Sequence, residues 1–106
     1  MVSFEDFKKL DLRVARIADV KEHPNADKLY VIQIEIGSQT KQIVAGVREN
    51  YSAQDLVGKK IVVIDNLESV TIRGEESHGM LLAASGEGGP VILVPDRDVP
   101  SGTQIC

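Results

Sequence analysis

The sequence predicts an all-β fold in which aliphatic strands enclose one small core. Hydrophobic residues occupy 42% of the 106 positions, yet only two tyrosines and two phenylalanines are present and tryptophan is missing. Valine and isoleucine recur along the whole chain, and β-branched side chains favour strands. A chain of this length has room for one core, so we expect residues 1–106 to form one domain.

A short helix and a long strand open the predicted fold. Ser3 suits the N-cap of one helical turn, which we expect to pack an apolar side chain onto the domain, namely Phe4, Phe7 or Leu10. Residues 12–22 then predict a strand, but the phase of its apolar side chains breaks near Ala15 and Arg16. A β-bulge at that point lets one strand serve both sides of a closed barrel.

The remaining elements follow in order along the chain. Residues 23–28 form a loop, because Pro, Asn and Asp favour turns. Apolar and polar residues alternate over 29–36, which indicates a half-buried strand, and Ser52 caps a short helix that ends at Gly58. Further strands are predicted over residues 42–45, 61–64, 70–72, 80–84 and 91–94. Three strands, one short helix and more strands match a five-stranded OB-fold barrel with extra C-terminal strands.

The stretch 73–84, RGEESHGMLLAA, joins a polar half to an apolar half. Residues 80–84 contain no polar side chain and predict a strand that is buried on both faces. The polar part, hinged by Gly74 and Gly79, places hydrogen-bonding side chains at the rim of the core, where binding sites are often built. The alternative is a solvated turn that leads into a core strand.

Several functional classes are excluded by the composition. No apolar run exceeds about five residues, and the N-terminus lacks a signal-peptide layout, so we expect a cytoplasmic protein without a membrane partner. Two histidines and the single cysteine, Cys106, form no zinc pattern, and no phosphate loop leads into a helix. Ser77 and His78 are adjacent and cannot form a nucleophile–base pair with each other. We therefore expect no metal, no cofactor and no enzymatic activity.

The net charge of −4 is unevenly distributed. Residues 1–60 carry ten lysines and arginines against nine acidic residues, whereas residues 61–106 carry two against seven. Proteins that bind nucleic acid by charge alone are normally basic. If this chain binds a polyanion, it must use a local cationic patch and a match of shape.

Five motifs, in order, resemble those of the tRNA-binding domain family. They are LDLRVARI (10–17), HPNADKLY (23–30), QIVAG (42–46), VGKKIVVI (57–64) and RGEESHGMLLAA (73–84). Members of this family are small free-standing tRNA-binding proteins or domains appended to methionyl-tRNA synthetases and to the endothelial-monocyte-activating polypeptide. The resemblance implies an OB barrel that binds tRNA by shape at the outer corner of the L, as a homodimer, and assists aminoacylation in trans. A methionyl-tRNA synthetase catalytic subunit is then a further expected partner.

The resemblance also implies which residues bind tRNA. They are Asn25, Lys28, Lys41, Arg48, Arg73, Ser77 and Met80. Ser77 and Met80 match a Ser-x-Gly-Met signature, with Ser77 suited to a phosphate or a 2′-hydroxyl and Met80 to an apolar contact. These residues are expected around the face of strands two and three, which OB barrels use for nucleic acid. The structural alternatives are that Asn25 stabilises its loop, that Met80 packs in the core and that the lysines are solvated.

The chain departs from the family pattern just before the Arg-Gly pair. Family members often carry lysines there, but this chain has Glu68 and Thr71. Ala15 and Ala45 also replace a glycine and a serine that are common in the family. Fewer cations are therefore expected to face RNA, and the acidic balance favours an alternative function as a peptide-binding module, similar to the export chaperones with the same barrel. The intact loop and Ser-x-Gly-Met motifs favour tRNA.

Overall fold

The computed structural model describes residues 1–106, which form two helical turns and nine strands. The helices are α1 (Phe4–Phe7) and α2 (Ala53–Leu56), and the strands are β1 (Leu12–Glu22), β2 (Tyr30–Ile36), β3 (Gln39–Ala45), β4 (Lys60–Ile64), β5 (Val70–Ile72), β6 (Glu75–Ser77), β7 (Met80–Leu81), β8 (Ala83–Gly86) and β9 (Gly89–Ile92). Neither helix has the length and apolar character needed to cross a membrane.

A five-stranded antiparallel sheet curls into the predicted OB-like barrel. Its strands are ordered β3-β2-β1-β4-β7, and α2 lies between β3 and β4 in the chain. The two edges meet where His78 N–H donates to Gln42 O over 2.9 Å. The largest fully buried side chains of the barrel are aliphatic, namely Ile17, Ile32, Ile34, Ile43, Leu56 and Ile61. Strands β5 and β6 form a separate hairpin, and β8 pairs with β9.

Strand β1 contains the predicted bulge, but at a different position. The bulge was expected near Ala15, whereas the register with β2 shifts between Ile17 and Asp19. Ala15 and Ile17 belong to the barrel core, while Val14 is buried outside that cluster. The apolar phase therefore breaks at Ala15 because both faces of the strand are buried there.

The C-terminal tail pairs with the first half of β1. Val14 N–H donates to Thr103 O and Ile105 N–H donates to Leu12 O, each over 2.9 Å. Gly102 makes this path possible, because its φ is +92° and a Cβ would lie 3.0 Å from the backbone nitrogen of Gly37. The extended tail thus completes the sheet.

Helix α1 is capped as predicted, and its side chains lie at the surface of the domain. Asp6 N–H donates to Ser3 Oγ over 3.1 Å, yet no residue of the helix is buried and Phe4 is 70% exposed. Phe4 and Phe7 stack on each other with ring centroids 6.4 Å apart. The two rings and Leu10 line one cavity with Gln104, Ile105 and Cys106 of the C-terminal tail, so the helix lies beside the tail and not in the barrel core.

The predicted strand over 80–84 was also wrong in part. The chain forms β7, then pairs through β8 with β9, so that Met80, Ala83 and Ala84 are exposed. An uninterrupted apolar run predicts burial on both faces. Here the run leaves the barrel after Leu81, and its second half lies in a two-stranded ribbon at the surface.

Candidate nucleic-acid interface

Loop 23–28 is closed at its base and held by hydrogen bonds from both sides. His23 N–H donates to Leu29 O over 3.1 Å, which joins the two ends of the loop. The buried His23 ring accepts the Asn25 N–H at Nδ1 over 3.0 Å. From the other side, Arg48 Nη1 donates to Ala26 O over 3.2 Å. The loop conformation is therefore set by the protein itself.

Arg73 and Gly74 form the turn of the β5–β6 hairpin. Their φ values are +53° and +94°, and Arg73 is the only residue other than glycine with a positive φ. Positive φ at both central residues of a two-residue hairpin defines a type I′ turn, where Asn-Gly is preferred. An arginine in this conformation is strained. Its side chain is exposed to solvent.

The loop and the hairpin turn meet in an open groove of about 380 Å³, lined by Ala26, Asp27, Lys28, Leu29 and Arg73. His23 Nε2 lies 2.9 Å from Ile72 O. Asn25 Nδ2 donates to Arg73 O over 3.4 Å. The fold thus brings together three of the predicted residues, Asn25, Lys28 and Arg73, from segments that are far apart in sequence.

The cations around this groove are free of acidic partners. Seven of the twelve lysines and arginines form ion pairs with carboxylates, but Lys28 and Arg73 do not. Lys21, which lies on β1 two residues before His23, is also unpaired and exposed. Sequence reasoning missed Lys21, although its position directly before the loop motif was an available signal. Free cations grouped at one site attract a polyanion even when the net charge is negative.

Lys41 and Arg48 are engaged in internal contacts. Lys41 Nζ lies 2.6 Å from Asp65 Oδ1 and donates to Asp65 O over 2.8 Å. It pairs with Ile34 towards the opposite end of β3 from the loop. Arg48 Nη2 lies 2.8 Å from Glu22 Oε2, in addition to its bond to the loop. Lys41 therefore lies outside the groove, and Arg48 supports the loop from behind.

Ser77 is not on the barrel rim. Its side chain is 3% exposed, and its Oγ accepts the Val44 N–H over 2.9 Å and donates to Gly79 O over 3.0 Å. A hydroxyl that already satisfies two buried backbone groups has little capacity left for RNA. Ser77 thus helps to join β6 to β3 and close the barrel.

Met80 lies in a separate groove of apolar character. Its side chain is 44% exposed and lines a groove of about 270 Å³ with Val44, Ala45, Gly46, Val47, Leu81, Ala83 and Pro90. This groove shares no residue with the one between the loop and the hairpin turn. The fold does not bring Met80 together with the cations.

The outer face of β2 and β3 is not the open platform that was expected. Val31 and Val44 point away from the barrel core but are buried. Gln33 Nε2 donates to Gln42 Oε1 over 2.9 Å, so the polar side chains on this face satisfy each other. Two unpaired cations, Lys28 and Arg73, lie instead beside the loop and the hairpin.

Comparison with known proteins matches residues 12–104 to the family described as "Putative tRNA binding domain". The chain belongs to this tRNA-binding domain family. A methionine–tRNA ligase of Thermococcus onnurineus is 51% identical to it over 104 residues. The match covers 98% of this chain but only 14% of the ligase. The tRNA-binding domain is thus a small part of that relative.

Two solved structures share the fold of this tRNA-binding domain over its full length. A MetRS related protein from Pyrococcus horikoshii has a TM-score of 0.92 and 25% identity, and the match covers 100% of this chain and 98% of that one. A CsaA chaperone protein from Picrophilus torridus has a TM-score of 0.92 and 31% identity, with both chains covered completely.

Proposed function

We propose that this domain binds tRNA in the groove between loop 23–28 and the hairpin turn. The observation that carries the proposal is the conformation of Arg73. A turn built for stability alone would carry asparagine at this position. Here a strained arginine holds an unpaired guanidinium in solvent, on the same groove as the free Lys28. Strain at an exposed, unpaired cation favours a role for the charge itself.

Each groove residue has a chemically suitable partner on RNA. The guanidinium of Arg73 donates in pairs to phosphate oxygens, whereas Lys28 supplies a point charge, and Lys21, just before the loop, can supply another. Asn25 uses Nδ2 on the hairpin, and its Oδ1 remains to accept a 2′-hydroxyl. None of these contacts reads a base edge. The recognition is therefore of RNA backbone shape, as at the corner of a folded tRNA.

Replacement of Arg73 by asparagine removes the positive charge but keeps the conformation of the turn. We expect Arg73→Asn to weaken tRNA binding about tenfold, because one charge-assisted contact is lost. The thermal midpoint should stay the same or rise, because asparagine suits a type I′ turn. Binding is measured by titration of a tRNA mixture, and unfolding by circular dichroism.

The matched control for this test is Arg97→Asn. Arg97 is also exposed and without an ion pair, but it lies in the C-terminal tail. The control removes the same charge and should change the affinity less than about twofold. Equal tRNA affinities of the two variants would contradict the proposal that tRNA binds in this groove.

The wider role follows from the relatives and is also a proposal. We propose that residues 1–106 act as a cytoplasmic homodimer that assists a methionyl-tRNA synthetase catalytic subunit in trans. A closely similar segment within a methionine–tRNA ligase supports a role in tRNA capture. When this domain is added to such a catalytic subunit, the KM of the subunit for tRNA should decrease. An unchanged KM would contradict this role while leaving tRNA binding intact.

Binding of unfolded polypeptide is the second candidate function. The apolar groove at Met80 and the 31% identity with a CsaA chaperone support it. Exposed apolar grooves suit extended, apolar chain segments. If a denatured polypeptide binds at physiological salt and tRNA does not, this second candidate replaces the first.

A further inference from the structure

The hydrogen bonds of His23 define its tautomer. The Asn25 backbone N–H can only donate, so Nδ1, 3.0 Å away, is the acceptor. The Ile72 carbonyl oxygen can only accept, so Nε2, 2.9 Å away, carries the proton and donates. The ring is buried, so water has little access to either nitrogen. The two contacts therefore assign the donor role to Nε2 and the acceptor role to Nδ1.

The two bonds of His23 act on different segments. The bond at Nδ1 shapes loop 23–28 from within, whereas the bond at Nε2 fastens the loop to the β5–β6 hairpin. Ile72, which receives the second bond, lies directly before Arg73. Asn25 also reaches the hairpin, but its bond of 3.4 Å is longer and exposed to solvent. The shielded bond of His23 is the stronger of the two ties.

The hairpin needs such a tie. Its strands contain three residues each and form a sheet of their own. A two-stranded hairpin of this size is marginally stable in water unless it packs on something else. Ser77 holds the far end of the hairpin to β3, but the turn with Arg73 lies at the other end. Without His23, the guanidinium of Arg73 would lose its defined position relative to Lys28.

We infer that His23 is a positioning residue for the cationic groove and sets the placement of Arg73 against Lys28. The inference rests on the proposed tRNA function and deepens it. Pre-arranged charges bind a rigid partner more tightly than mobile ones, because less conformational freedom is lost on binding. The hydrogen bond from His23 Nε2 to Ile72 O thus holds Arg73 in position for RNA binding.

Two variants of His23 each replace one of the two ring nitrogens by an amide group. Both lose the ring and its packing. In His23→Asn, the short amide keeps an acceptor near the position of Nδ1 but cannot reach Ile72. In His23→Gln, the longer amide places an N–H donor near the position of Nε2. We expect His23→Asn to bind tRNA at least about fivefold more weakly than His23→Gln, the factor that corresponds to one hydrogen bond.

A second measurement tests the tie without RNA. Nitrogen-15 NMR of the free parent protein should show the His23 proton on Nε2. Relaxation of the backbone amides of residues 73–74 should reveal faster motion in His23→Asn than in His23→Gln. A proton on Nδ1, or equal motion and equal tRNA affinity in the two variants, would overturn the inference. If the motions differ as expected but the parent does not bind tRNA, the tie by His23 stands and the proposed function fails.

Discussion

Arg73 and Ser77 belong to one motif, yet their side chains serve different purposes. The guanidinium of Arg73 is exposed and unpaired, whereas the hydroxyl of Ser77 is buried between two backbone groups. A polar side chain is available to a ligand only when the protein does not already satisfy it. The motif therefore combines one residue that contacts solvent with one that maintains the barrel.

At this scale, Ser77→Ala should affect stability and not binding. Removal of the hydroxyl leaves the buried Val44 N–H without an acceptor, which we expect to lower the free energy of unfolding by about 1–3 kcal/mol. The tRNA affinity of the folded protein should change less than about twofold. Urea unfolding and tRNA titration measure the two effects.

Ser38→Ala is the control for this substitution. Ser38 is exposed in the turn between β2 and β3, where a hydroxyl should contribute less than about 0.5 kcal/mol. If Ser77→Ala weakened tRNA binding while stability stayed unchanged, Ser77 would be a contact residue after all.

The ribbon of β8 and β9, together with residues directly beside it, exposes apolar side chains next to the barrel. Val91, Leu93 and Met80 are 52%, 43% and 44% exposed. Soluble monomers seldom leave a contiguous apolar surface of this kind uncovered. A second copy related by a two-fold axis would cover the same ribbon on both chains.

We therefore predict a homodimer that forms through this ribbon. Light scattering at micromolar concentration should give twice the mass of the 11.5 kDa chain. Val91→Glu should shift the mass to that of a monomer, because a carboxylate would be buried in the interface. The control Val57→Glu changes an equally exposed valine outside the ribbon and should leave the dimer intact. A parent protein with the mass of a monomer would contradict the prediction.

On the scale of the whole molecule, the charges predict weak dependence of tRNA binding on salt. The chain has a net charge of −4; its free cations at the groove are Lys28 and Arg73, and Lys21 is a further free cation on β1, just before the loop. Each neutralised phosphate contributes about −0.9 to the slope of log K against log salt concentration. We expect a slope of about −2 to −4, and Arg73→Asn should make it shallower by about one. A slope steeper than about −6 would show that other cations carry the binding.

Local patterns in the sequence determined most of the barrel. The alternation over residues 29–36 predicted β2, and β1 has the predicted bounds. The cap at Ser52 and the stop at Gly58 predicted α2, because these signals act within a few residues. The β5–β6 hairpin was only half predicted, since Arg-Gly is not the usual signal for a type I′ turn.

Only the tertiary structure decided which polar side chains are free. Lys28 and Lys41 look alike in the sequence, but the partner of Lys41, Asp65, lies 24 residues away, directly after β4. One of the two backbone groups bonded to Ser77 lies 33 residues away, and the carbonyl that binds His23 lies 49 residues away. Burial and pairing depend on contacts between distant segments, and no local pattern encodes them. The motifs could therefore indicate where the site lies, while the fold determined which of its residues can reach a ligand.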